Sequence, residues 1–274
     1  MERLTLGWLT LFDAPPADVV TAASGNFDAV GLRITGRTLD DDYFPVINDP
    51  AAVREIHRRL AYSGITLSNT SIYHLSPAIT LEHLKPAIEV TAELGAKSIV
   101  VTCMDSDEAR WTDFIAQCCE AAAPFNITLA LEVVPYSAAS TLAQGLRIIE
   151  NAKADNFGLL IDMLHIARSG GTPDELANID ARHIVFAQIC DAAATLPAGM
   201  NLPTEARTGR LYPGDGALPL YALLNALPDT VEIEVETPRV DQTGLSFNER
   251  AKRAGEATRK FLANYRQTLG ETVR

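Results

Sequence analysis

The chain has 274 residues, 47% of them apolar and 21% charged, with no low-complexity tract, so a globular fold with a sizeable core is expected over disorder. Its 35 acidic residues against 23 basic ones give a formal net charge of −12, which offers no electrostatic help in holding a phosphate backbone and argues against nucleic acid as a partner. Met1–Phe12 is too short and too polar for a signal peptide or a membrane span, and Cys103, Cys118, Cys119 and Cys190 lack metal-ligand spacing. Buried free thiols in a cytoplasmic protein with no membrane partner are the expectation.

Apolar β-rich runs alternate with amphipathic helical stretches from end to end, and no linker divides them. Strands are predicted over Leu4–Trp8 and Ala29–Ile34. Asn48 and Asp49 stand as N-caps before the helix Pro50–Ser63, which Gly64 stops. The strand Thr66–Ile72 and the helix Leu81–Leu94, stopped by Gly95, come next. Ser98–Cys103 is the fourth strand; Ser106 opens the helix Asp107–Ala123, and Asn126 follows it as a stop. Strands Thr128–Val134 and Phe157–Met163 flank the helix Leu142–Asn151. Strands His183–Cys190 and Val231–Glu236 complete the set before the last helix, Phe247–Tyr265. Eight strands alternating with helices predict the α/β class and one domain over residues 1–274, a (β/α)₈ TIM barrel, whose usual size is roughly 250 residues. An open doubly wound sheet also alternates, but no Gly-rich phosphate turn follows the first strand.

Strands five to eight share a feature: each is apolar until a polar group appears at its end. These groups are Glu132, Asp162, Gln188 and Glu236. In a barrel the carboxyl ends of the strands converge on the face where active sites are built. A lone strand-end carboxylate is usually a solvated rim residue, but four polar ends on four successive strands form a set. Three crowded carboxylates need a cation or bound protons to compensate them. One divalent metal ion held by Glu132, Asp162, Gln188 and Glu236 is the simplest compensation. The all-oxygen donor set suits Mn²⁺ or Mg²⁺ more than Zn²⁺ or Co²⁺, which also remain compatible. Glu234 shares a strand face with Glu236; Glu236, nearer the carboxyl end, is the preferred ligand.

His165, three residues after Asp162, falls on the loop or first helical turn beyond strand six, where an imidazole can act as general acid or base; the bland alternative is a hydrogen-bonded histidine at a helix start. The long segment Asp191–Ala217 reads as a lid or binding loop, and its Arg207 and Arg210 can hold a substrate carboxylate, phosphate or hydroxyl unless they are ordinary surface arginines. Arg33, ending strand two, also points to the mouth and needs a partner. Tyr73 and His74 follow strand three and are candidate pocket residues. A small-molecule substrate is expected, and a homo-oligomer is compatible with the sequence.

The runs Leu131–Tyr136, Leu160–Gly171, Gln188–Asp191, Arg210–Gly216 and Glu236–Pro238 resemble the xylose isomerase-like TIM-barrel superfamily. That superfamily includes sugar-phosphate isomerases and epimerases, ketose 3-epimerases, hydroxypyruvate isomerase, endonuclease IV and bacterial 3-dehydroshikimate dehydratases. The resemblance implies a metal on Glu132, Asp162, Gln188 and Glu236, with Gln188 departing from the usual histidine, as in the branch that contains 3-dehydroshikimate dehydratases. The additional histidine ligands of endonuclease IV are missing. By this resemblance the activity is an isomerase or epimerase on a small sugar or hydroxylated carbonyl compound, with Glu132, His165 and Glu236 as catalytic groups; the proton beside the carbonyl is removed to give an enediolate that the metal stabilises. Loss of a β-hydroxyl from the same enolate, the 3-dehydroshikimate dehydratase reaction, is the runner-up, and a non-catalytic barrel that binds metal or a sugar acid is a third reading.

Overall fold

The computed structural model describes residues 3–41 and 43–272. Its strands are β1 (Leu4–Leu6), β2 (Ala29–Arg33), β3 (Thr66–Ser71), β4 (Ser98–Val101), β5 (Thr128–Glu132), β6 (Phe157–Asp162), β7 (Ile184–Ile189) and β8 (Ile233–Val235). They pair in parallel in chain order and close β8 onto β1, so the molecule is a (β/α)₈ barrel. The helices are α1 (Pro16–Ala23), α2 (Pro50–Ser63), α3 (Leu81–Glu93), α4 (Glu108–Ala122), α5 (Leu142–Ala152), α6 (Met163–Arg168), α7 (Pro173–Ala177), α8 (Leu202–Thr208), α9 (Leu220–Ala226) and α10 (Phe247–Thr272). None of the described helices is long and apolar enough to cross a membrane.

Local chemistry sets the element ends. Asp49 accepts from the amides of Ala51 and Ala52 and starts α2, and Gly64 at φ +69° stops it. Asp107, rather than Ser106, caps α4 by accepting from Arg110 N, so that helix begins one residue later than expected. The eighth strand is also shorter than the apolar run, and Glu236 lies one residue beyond it.

The main core fills the space between the barrel and its helices, with Leu4, Leu6, Leu32, Ile99, Ile115 and Ile161 fully buried. Each such side chain contributes on the order of 1.5–3 kcal/mol relative to exposure. A second cluster, Val100, Ala130, Leu160 and Phe186, takes the inward face of β4–β7, because Ala130, Leu160 and Phe186 each lie two residues before a site residue on the same strand. The opposite half of the barrel interior is polar, with Asn69 from β3 and Glu234 from β8 both buried. Gly7 and Gly31 lie against the Glu234 carboxylate.

Candidate active site

Glu132, Gln188 and Glu236 reach one cavity in the barrel mouth, which His165 and Arg210 also line. Asp162 joins them from the end of β6. Register explains part of this convergence: Asp162 is opposite Gln188, and Gln188 is opposite Glu234. Glu236 follows Glu234 by two residues, on the same face and nearer the mouth, and of the two only Glu236 lines the cavity.

Asp162 performs two tasks. One carboxylate oxygen accepts from the backbone N of His165 at 3.0 Å, capping α6 and placing the imidazole; the other accepts from Arg210 Nη1 at 2.5 Å. His165 is therefore a helical residue in the first turn after the strand. Its Nε2 is 3.5 Å from Glu132 Oε1, and its ring meets Tyr136 edge-on with centroids 5.8 Å apart. Ligand atoms of Glu132, Asp162 and His165 all lie within 4.8 Å of one another.

Arg210 is fully buried. Besides Asp162, its Nη2 lies 3.3 Å from Glu236 Oε2, and its Nε donates to the carbonyl of Ala206 at 2.8 Å. Arg210, within the segment Asp191–Ala217, lines the cavity and packs against the carboxylates of Asp162 and Glu236. The sequence explains how. Asp191, just past β7, accepts from the amides of Ala192, Gly214, Gly216 and Leu218, pinning the Pro-Gly-Asp-Gly turn to the strand end. A Cβ on Gly216 would lie 2.4 Å from Asp191 Oδ1, so only glycine fits there. Asp191 and Leu211 exchange backbone hydrogen bonds, which draws the neighbouring Arg210 inward.

The same segment, expected as a lid or binding loop, contains α8. Arg168 on α6 holds it through a buried ion pair with Glu205 at 2.6 Å and a bond to the Ala193 carbonyl at 2.7 Å. Arg207 on α8 then lines the cavity, as do Arg33, Arg37, His74 and Trp8. Arg33 is fixed by donation to the Ile72 carbonyl at 2.8 Å and lies 4.8 Å from the Trp8 ring centre. Arg37 and Arg207 form no salt bridge among the described residues. Tyr73 does not line the cavity. Arg37, Trp8 and Asn69 escape sequence reasoning; the one signal available is a Trp at the end of the predicted first strand.

Burial and charge set the protonation states. Burial, reinforced by Asp162, raises Glu132 to about 7. Burial also raises Glu236, and Arg210 only partly opposes it. Burial raises Glu234 to about 7 against the pull of its Gln188 and Asn69 donors. For Asp162, burial is outweighed by Arg210 and His165 acting together, and its carboxyl is held below the usual range. Burial keeps His165 neutral down to about 4 and, helped by Arg33, Arg37 and Arg207, His74 down to about 3.

Arg210 pairs with Asp162 and Glu236, which leaves the carboxyls of Glu132 and Glu234 with no arginine at ion-pair distance among the described residues. Gln188 Oε1 is moreover a buried acceptor without a hydrogen-bond partner. A hard divalent cation fits this donor set of carboxylate and amide oxygens, with the His165 imidazole beside it.

A sequence model described as "Xylose isomerase-like TIM barrel" matches residues 19–265. Inosose isomerase of Bacillus subtilis is 25% identical over 198 residues, 68% of this chain and 69% of that protein. A 3-dehydroshikimate dehydratase of Pseudomonas aeruginosa is 25% identical over 151 residues, 53% of this chain and 23% of the dehydratase. The crystal structure of the IOLI protein with a binding zinc atom superposes with a TM-score of 0.80 at 20% identity, covering 96% of this chain and 99% of that one. At that identity the likeness speaks to the fold alone.

Proposed function

The chain belongs to the xylose isomerase-like TIM-barrel family, and from that premise we propose that it is a divalent-metal-dependent enzyme that removes the proton beside the carbonyl of a small hydroxylated substrate. The observation that carries this reading is the convergence of Glu132, Asp162, Gln188 and Glu236 beside a neutral His165, with the Gln188 carbonyl oxygen buried and unpartnered. Glu132, Asp162, Gln188 Oε1 and Glu236 would hold the ion, which when bound supplies a Lewis acid for the substrate carbonyl. His165, deprotonated across the neutral range, accepts the proton, and Glu132, 3.5 Å away, exchanges it with the imidazole. The free thiols of Cys103, Cys118, Cys119 and Cys190 support a cytoplasmic setting.

The substrate side of the cavity favours an anion. Arg37 and Arg207 line it and form no salt bridge among the described residues, and Arg33 adds a third guanidinium. A ring ketone bearing a carboxylate, dehydrated as 3-dehydroshikimate is, matches this chemistry: the proton leaves the carbon beside the ketone, the electron pair forms the double bond, and the β-hydroxyl departs as water with a proton from the enzyme. Isomerisation or epimerisation of a neutral inosose-like ketone is the second reading, supported by the inosose isomerase relative that aligns with 68% of this chain.

Metal-stripped protein reloaded with Mn²⁺, Mg²⁺, Co²⁺ or Zn²⁺ and given 3-dehydroshikimate is expected to produce the ultraviolet absorption of a catechol acid. No product there, with solvent deuterium entering an inosose or ketose, would replace dehydration by isomerisation. Metal binding without either exchange would overturn catalysis in favour of a binding role.

A further inference from the structure

We infer that Glu234 is a positioning residue that fixes the amide of Gln188 so that its carbonyl oxygen, not its nitrogen, is available to a cation. This rests on the proposed metal site and assigns a role to a carboxylate outside the ligand set. Glu234 lies directly across the β7–β8 pair from Gln188 and is 1% exposed. Each of its oxygens accepts from an amide: Oε1 from Gln188 Nε2 at 2.7 Å and Oε2 from Asn69 Nδ2 at 2.5 Å. Gln188 Nε2 also donates to Glu236 Oε1 at 3.1 Å. Turning the amide over would set its oxygen against two carboxylate oxygens, acceptor facing acceptor. The amide is thus locked by its nitrogen, and Oε1 is left buried without a hydrogen-bond partner.

The barrel is built around this carboxylate. A Cβ on Gly31 would lie 2.7 Å from Glu234 Oε2, and one on Gly7 would lie 2.9 Å from Glu234 Oε1. Gly31 on β2 and Gly7 just past β1 therefore leave room for it. An amide ligand needs such a device more than an imidazole does, because its two ends differ by one atom and only one of them binds a cation. Groups that orient metal ligands typically change affinity 10–100-fold when removed.

Glu234→Gln keeps the shape but offers Gln188 both a donor and an acceptor, so the lock is lost. Mn²⁺ binding, read from the paramagnetic resonance signal of the free ion, is expected to weaken 10–100-fold in this variant. In the Gln188→Ala background, where no amide remains to be oriented, the same substitution is expected to change affinity less than about threefold, a non-additivity that a merely structural or directly ligating Glu234 would not give. Unchanged affinity in Glu234→Gln, or an equal loss in both backgrounds, would overturn the inference while leaving the proposed metal site standing. A wild-type protein that binds no Mn²⁺ would overturn both.

Discussion

Replacing Arg210 by methionine tests the electrostatic logic of the site directly. The guanidinium is 1% exposed and bonds Asp162 at 2.5 Å and Glu236 at 3.3 Å, while Asp162 is wholly buried. Removing one partner of a buried ion pair typically costs about 3–5 kcal/mol, because the other charge stays desolvated and unpaired. For a chain of this size that corresponds to a fall of about 6–15 °C in melting temperature. Calorimetry in the presence of a chelator should show this loss. Since Asp162 and Glu236 would then lack their cation, adding Mn²⁺ should raise the melting temperature of the variant more than that of the wild type, by the linkage between binding and folding. An unchanged melting temperature in chelator, or an equal metal-induced rise in both proteins, would refute the claim that Arg210 and the metal neutralise the same carboxylates.

His165→Gln should lower kcat by about 10²–10⁴-fold with Mn²⁺ affinity unchanged in a binding titration; a lost affinity would instead make His165 a ligand. Arg207→Ala should raise KM for a carboxylate substrate about tenfold or more with little change for a neutral inosose, measured by steady-state kinetics. His74, half-buried beside Arg33, Arg37 and Arg207 and held down to about 3, refuses the proton that the unfolded chain accepts below about 6.5. Wild-type stability is therefore lost as pH falls below that value. Urea unfolding should show His74→Gln gaining about 1–2 kcal/mol on the wild type between pH 7 and pH 5, and a pH-independent difference would contradict the burial of a neutral ring.

The barrel and the four polar strand ends are legible in the sequence because both rest on short-range pattern: apolar runs of strand length, then one polar residue. Asn69 is not legible. Val30 pairs with Leu67 but Gly31 with Asn69, so Ser68 is an extra residue that rephases β3, and simple alternation no longer says which side chains face inward. The pairing of Arg210 with the carboxylates is illegible for a different reason. Tyr212–Pro213–Gly214–Asp215–Gly216 reads as an exposed turn, and its descent into the barrel depends on Asp191 gathering four backbone amides across the loop. The helix α8 is likewise hidden by Pro203 and the glycines around it, although Asn201 caps it by accepting from Thr204 N. For Asn69 and Arg210 the decisive interaction joins residues distant in sequence.

The two ends of the carboxylate set differ in freedom, and that difference bears on the reaction. Asp162 and Glu236 are tied to Arg210, a group that keeps its proton, whereas Glu132 has 17% of its side chain exposed and stands beside His165. Proton transfer on the proposed reading is thus confined to one side of the substrate, where His165 and Glu132 lie together. Epimerisation by two bases needs proton carriers on opposite faces; elimination does not. A single flank can take the proton beside the ketone and return one to a departing β-hydroxyl on the same face. With 3-dehydroshikimate carrying deuterium on the hydroxylated carbon beside the ketone, mass spectrometry should find the label lost to solvent in the wild type and retained in His165→Gln, and label loss undiminished in that variant would place the base away from His165.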